Sequence, residues 1–179
     1  MTNSLEAFIA ATKAAWGPLS SELIEACSQQ LDSLLKAPNS EDWLSSLHQV
    51  MPANEELYRD LSHGFMLLAH AEQAGLYRPP HDHGRGWVIY AVQAGEIEMG
   101  SYARMENAHG EVRLVKRDST LVRAGQVKVY LPGDIHDTQC MSASALLYRF
   151  TDRDLRVEAK EGRLTRYVEL DDAWAVGPK

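Results

Sequence analysis

Pro79-Pro80-His81-Asp82-His83-Gly84-Arg85-Gly86-Trp87-Val88 decides the reading of this chain, together with Pro132-Gly133-Asp134-Ile135-His136 further on. Two histidines one residue apart, next to an apolar alternating run, predict a β-strand. Side chains two apart on a strand share a face, so His81 and His83 can converge on one point. His136 follows a Pro-Gly turn at the mouth of a later strand, where it can join them. Three imidazoles with no cysteine partner suit a borderline first-row metal: iron, zinc, nickel or copper. His48, His63, His70 and His109 have no such partners in sequence and read as structural or exposed.

Composition narrows the field. A chain of 179 residues forms one domain, or one domain with a small appendage. A net charge of −7 argues against a nucleic-acid surface, which needs clustered Lys and Arg. Cys27 and Cys140 are too few for a disulfide framework, so a reducing compartment is expected. No signal-peptide pattern opens the sequence and no apolar run reaches about 18 residues, so no membrane contact is expected and the expected location is cytoplasmic.

The first third has helical periodicity. Leu5, Phe8, Ile9, Thr12 and Trp16 form one stripe, ended by Gly17-Pro18. Ser20 or Ser21 can cap a second helix with the face Leu23, Ile24, Cys27, Leu31, Leu34 and Leu35. Asn39 or Ser40 can cap a third through Trp43, Leu44, Leu47 and Val50, and Asn54 a short fourth through Leu57 and Leu61. From Phe65 the period becomes two. Short strands punctuated by Ala94-Gly95, His109-Gly110, Ala124-Gly125 and Pro132-Gly133 predict a mainly β protein, a double-sheet jelly roll. The expected layout is a helical segment over 1–62, a barrel carrying the site over 63–170 and a frayed tail over 171–179.

The spacing Gly75-x5-His81-x-His83-x11-Gly95, then Gly125-x6-Pro132-Gly133-x2-His136, resembles the two-motif signature of the cupin superfamily. The resemblance implies a double-stranded β-helix, with His81, His83 and His136 as metal ligands. Many cupins add a glutamate ligand four or five residues after the second histidine. This chain has Trp87 and Val88 there, which leaves an all-histidine set with neither Glu96 nor Glu98 coordinating.

That set is similar to the thiol dioxygenases, cysteine dioxygenase and its relatives, which use Fe(II). The likeness implies a small-molecule thiol and O2 as reactants and a sulfinate as product. Arg59, in Leu57-Tyr58-Arg59-Asp60, matches the family's carboxylate-binding arginine, with Arg85 as second candidate. Tyr148 resembles the tyrosine that hydrogen-bonds substrate or oxygen, although the family's His-x-Tyr is Leu146-Leu147-Tyr148 here. Trp87 shares the parity of His81 and His83 and so would wall the pocket. Other three-histidine cupin chemistry stays open: cleavage of a diketone-like substrate, a Lewis-acid lyase step, or non-catalytic metabolite binding. The sequence also leaves the oligomeric state open, a homodimer included.

Overall fold

The computed structural model describes residues 2–170 and 173–177. Three helices come first: α1 (Ser4–Ala15), α2 (Ser21–Leu34) and α3 (Asp42–Val50). Asn3 and Glu6 form a reciprocal capping box on α1, and Ser20 caps α2 through Leu23 N. The cap of α3 is neither Asn39 nor Ser40 but Glu41, whose carboxylate instead accepts from the backbone and hydroxyl of Ser4. That contact ties α3 to the start of α1.

The strands are β1 (Glu55–Arg59), β2 (Met66–Gln73), β3 (Tyr77–His81), β4 (Val88–Ala94), β5 (Glu96–Glu106), β6 (Val112–Arg123), β7 (Val127–Tyr130), β8 (Ile135–Cys140) and β9 (Ser144–Thr151). A short α4 (Leu155–Lys160) precedes the hairpin of β10 (Tyr167–Leu170) and β11 (Ala173–Val176). All pairing is antiparallel. One sheet runs β1-β2-β9-β4-β7 and faces a second that runs β3-β8-β5-β6. Chain-distant strands lying side by side, such as β2 with β9 and β3 with β8, make this the jelly roll of a double-stranded β-helix.

Alternation along the five-stranded sheet sorts its side chains into two cores. Val88, Tyr90 and Val92 of β4 and Ala145 and Leu147 of β9 point between the sheets, where they meet Ile97, Met99 and Val122. Ile89, Ala91, Leu146, Tyr148 and Phe150 point the other way and receive Phe8, Cys27, Leu31 and Leu34 from the helices. Trp16 rests on this outer face, with its ring 4.7 Å from Phe65 and 5.9 Å from Trp87. At the β4–β5 turn, Gly95 has φ of +80°, and a Cβ there would run into the Ser144 carbonyl and the Ala145 Cα. Glycine therefore lets β9 pass close beneath the turn.

Two expectations are corrected. The helix expected from Asn54 is β1, because Glu55–Arg59 finds an unpaired sheet edge on β2, and that pairing overrides local helical periodicity. The sheet thus begins before residue 63. The tail expected to fray contains β11, which pairs with β10 and sets Trp174 6.3 Å from Tyr77. Asp171, Asp172, Pro178 and Lys179, which belong to the same tail, lie outside the described residues. Among the described residues no helix is long and apolar enough to cross a membrane.

Phe150 touches Phe8, Trp16, Phe65 and Trp87, with ring centroids 5.5 to 6.3 Å away. It joins sheet to helices while lying far from the histidines in parity. Phe150→Ala should cost about 3–5 kcal/mol in urea unfolding. A loss under about 1 kcal/mol would mean that the helical layer is not cooperative with the sheet.

Candidate metal centre

His81 ends β3, an edge strand that tolerates Pro79 and Pro80 because its outer amides need no ladder partner. It lies in register with His136 of β8. His83 belongs to no strand. β3 stops at His81, and the chain turns through Gly84 at φ +62°. Asp82 Oδ1 accepts from Gly84 N and Thr165 N at 2.9 Å each, which pins the turn to the segment before β10. The three rings therefore converge because a turn swings His83 inward, a correction to the expected strand alternation.

The ligating nitrogens of His81, His83 and His136 all lie within 4.8 Å of one another, and among the described residues this is the group with metal-holding geometry. His83 Nε2 and His136 Nε2 are 3.2 Å apart. His81 Nδ1 lies 2.8 Å from the Pro79 carbonyl; donating to it leaves the Nε2 lone pair free. His136 also stacks on Tyr130, centroids 3.9 Å apart. Nitrogens bound to one ion at about 2.0–2.1 Å stand roughly 3–3.4 Å apart at angles of 90–109°. The His83–His136 separation falls in that interval, so the trio can hold a metal ion. No carboxylate belongs to the trio, as the substitution at Trp87 and Val88 implied.

The imidazoles are held neutral. Burial, reinforced by His81 and Arg149, pushes His83 down to about 3. Burial, with His81 and His83 adding to it, takes His136 well below its ordinary value, and burial likewise lowers His81. Neutral imidazole is the ligating form.

His81 and His83 border a cavity of about 560 Å³, lined also by His70, Glu72, Arg78, Tyr90, Leu147, Arg149 and Arg166, with His136 buried behind them. Glu72 is matched by Arg78 at 2.8 Å. Arg149 differs, because its Nε is buried without a hydrogen-bond partner. Tyr90 Oη lies 3.5 Å from His83 Nε2. His70 accepts no partner at its buried Nε2, while Nδ1 sits 3.2 Å from the Ala53 carbonyl.

Other sequence candidates fall elsewhere. Arg59 does not line the cavity; its guanidinium binds Glu56 at 2.8 Å and Asp154 at 3.0 Å on the outside of the sheet edge. Arg85 is exposed beyond the His83 turn. Trp87 and Tyr148 lie on the helix side, packed against Trp16 and Trp43, and the Tyr148 hydroxyl has no partner there. The turn at 82–86 breaks the parity on which the Trp87 expectation stood. Tyr90 and Arg149 were missed. Their signal was a lone arginine inside the apolar run Leu146–Phe150, whose odd positions face the cavity.

No family model matches the chain, and no curated protein matches it. Solved structures do resemble it. The Cnp3 cupin domain of Schizosaccharomyces pombe is 14% identical with a TM-score of 0.45, over 61% of this chain and 69% of that one. KdgF from Halomonas sp. is 16% identical with a TM-score of 0.44, over 57% and 80%. A Klebsiella pneumoniae protein with a double-stranded β-helix domain is 16% identical with a TM-score of 0.45, over 65% and 88%. The fold assignment stands on the strand order and register given above.

Burial lowers His70 to about 4, with Arg149 adding to the effect. Unfolded imidazoles protonate near 6.5, so below that pH the unfolded chain binds a proton that the folded chain excludes. Stability should therefore fall as pH drops from about 6.5 towards 4, before the carboxylates matter. Glu158, held down to about 2 by Arg163, contributes stability above about 4.5 that is lost only as pH falls further. Thermal midpoints of wild type and His70→Gln across this window test it. Equal pH slopes for the two proteins would contradict the assignment.

Proposed function

We propose that this chain is a non-haem Fe(II) dioxygenase that converts a small carboxylate-bearing thiol to its sulfinate. One observation carries the reading: three neutral imidazoles converge, with no carboxylate among them, and two of them, His81 and His83, line a cavity where Arg149 has a buried, unpartnered Nε. Uncharged ligands leave a divalent ion its full charge, so the centre favours an anionic, chelating substrate. An anion also supplies the partner that Arg149 lacks.

His81, His83 and His136 would hold the iron, which when bound would supply the redox chemistry that joins thiolate and O2. The balance is RS⁻ + O2 → RSO2⁻. Sulfur gives up four electrons, O2 accepts four, and both oxygen atoms end on sulfur. His81, His83 and His136 supply the lone pairs that hold the ion, and the Pro79 carbonyl orients His81. Arg149 grips the substrate carboxylate, a charge-assisted contact with directional hydrogen bonds. Tyr90 brings a hydroxyl to the side of His83 where substrate would sit. Ile97 and Leu147 give the cavity an apolar wall. Zinc, nickel and copper satisfy the same donors, and Arg149 is what favours an acidic thiol over an uncharged diketone.

Protein purified without added metal, assayed for bound metals and then for O2 uptake with cysteine, mercaptopropionate and acetylacetone, tests the proposal. Consumption of O2 with sulfinate formation supports it; uptake confined to the diketone would replace it. His81→Ala, His83→Ala and His136→Ala should each abolish metal uptake and keep the fold. Arg149→Met should raise KM for acidic thiols about ten- to a hundred-fold with a smaller change in kcat, equivalent to about 1.5–3 kcal/mol of uniform binding. Arg59→Ala should leave both constants near wild type, since its guanidinium is already engaged outside the cavity.

A further inference from the structure

We propose that Tyr90 is a fourth, displaceable ligand of the metal held by His81, His83 and His136, its phenolate oxygen completing the set in the substrate-free protein. The inference rests on the reading that these imidazoles bind metal. Tyr90 Oη stands 3.5 Å from His83 Nε2, close to the 3.2 Å that separates His83 Nε2 from His136 Nε2. Donors sharing one ion at about 2.0–2.2 Å are roughly 3–3.6 Å apart for angles between 90° and 120°. The hydroxyl thus stands at a separation from His83 Nε2 that two donors of one ion would have.

Satisfaction of the hydroxyl gives a second argument. Tyr90 is buried, and its contact with the His83 Nε2 lone pair is its hydrogen bond among the described residues. A metal on His83 takes that lone pair. The phenol would then be left buried and unpartnered, at a cost comparable to any orphaned hydroxyl. Coordination removes the orphan.

Charge gives a third. Tyr90 on β4 lies in direct register with Arg149 on β9, and both side chains face the cavity. A phenolate held by the ion would carry its negative charge into the same cavity as the Arg149 guanidinium. On coordination the phenol O–H breaks, its electron pair goes to the metal, its proton goes to water, and a bound water leaves. A thiol substrate reverses this: its proton moves to the phenolate oxygen, the thiolate takes the vacated position, and its carboxylate binds Arg149.

The test is spectroscopic. The protein is loaded with Fe(II) without oxygen, oxidised with ferricyanide and desalted. Wild type should show a phenolate-to-iron charge-transfer band in the visible, together with tyrosinate modes in resonance Raman. Tyr90→Phe should lose both at unchanged iron stoichiometry, and Tyr130→Phe should keep both. An iron-replete wild type without the band, or a band that survives Tyr90→Phe, overturns the proposal and leaves the three-histidine reading intact. A protein that takes up no iron overturns both.

Discussion

Three imidazoles crowd into a space from which water is largely excluded, and the rest of the molecule is arranged around that crowding. Buried histidines without charge partners stay neutral, because desolvation penalises the protonated form. Two nitrogens facing each other at 3.2 Å cannot both be acceptors without repulsion or both be donors without a clash. One N–H between them would relieve the pair, and a cation would relieve it better, since it binds the third ring as well. The sheets, the Asp82 turn and the stacking of Tyr130 on His136 hold this arrangement against its own electrostatics.

The division of labour between the faces of the five-stranded sheet follows from the same constraint. The cavity side carries Tyr90, Arg149, His70 and Glu72, and polar side chains there weaken it as a hydrophobic core. The opposite side compensates with an almost wholly apolar surface, closed by Trp16, Phe8 and the faces of the first helices. A barrel with a polar cavity needs cohesion elsewhere, and here the helices provide it. Trp87, Tyr148 and Phe150 therefore pack into the outer core, although Tyr90 and Arg149, close to them in sequence, line the cavity.

What the sequence made legible was the convergence of histidines, because that depends on short segments: a pair one residue apart and a Pro-Gly turn before the third. The jelly roll followed from alternation and glycine punctuation. Parity across a turn was not legible. Counting in twos from His81 put Trp87 in the pocket, yet residues 82–86 leave the strand, and β4 restarts with Val88 and Tyr90 facing inward. Arg59 stands in a sequence context similar to that of a carboxylate-binding arginine, but whether a guanidinium is free depends on carboxylates such as Asp154, distant along the chain and adjacent in space. Glu55–Arg59 had helical spacing and became a strand because an edge of β2 was available, a tertiary fact with no local signal.

The charge logic of the cavity links stability to ligand choice. Glu72 is already matched by Arg78, and Asp154 by Arg59 and Arg156, so these pairs are closed. Arg149 stays open at Nε, and the histidines bring no negative charge of their own. A guanidinium whose buried Nε lacks a partner is a cost to the empty protein, and a bound group that supplies the missing partner would recover that energy on binding. On the proposed function, a substrate that carries both a metal-seeking anion and a carboxylate would meet the shortfall. An uncharged diketone supplies a chelating head and leaves Arg149 as it was. On the proposed function, a preference for acidic substrates would follow from the charges that the fold leaves unanswered, rather than from the shape of the cavity.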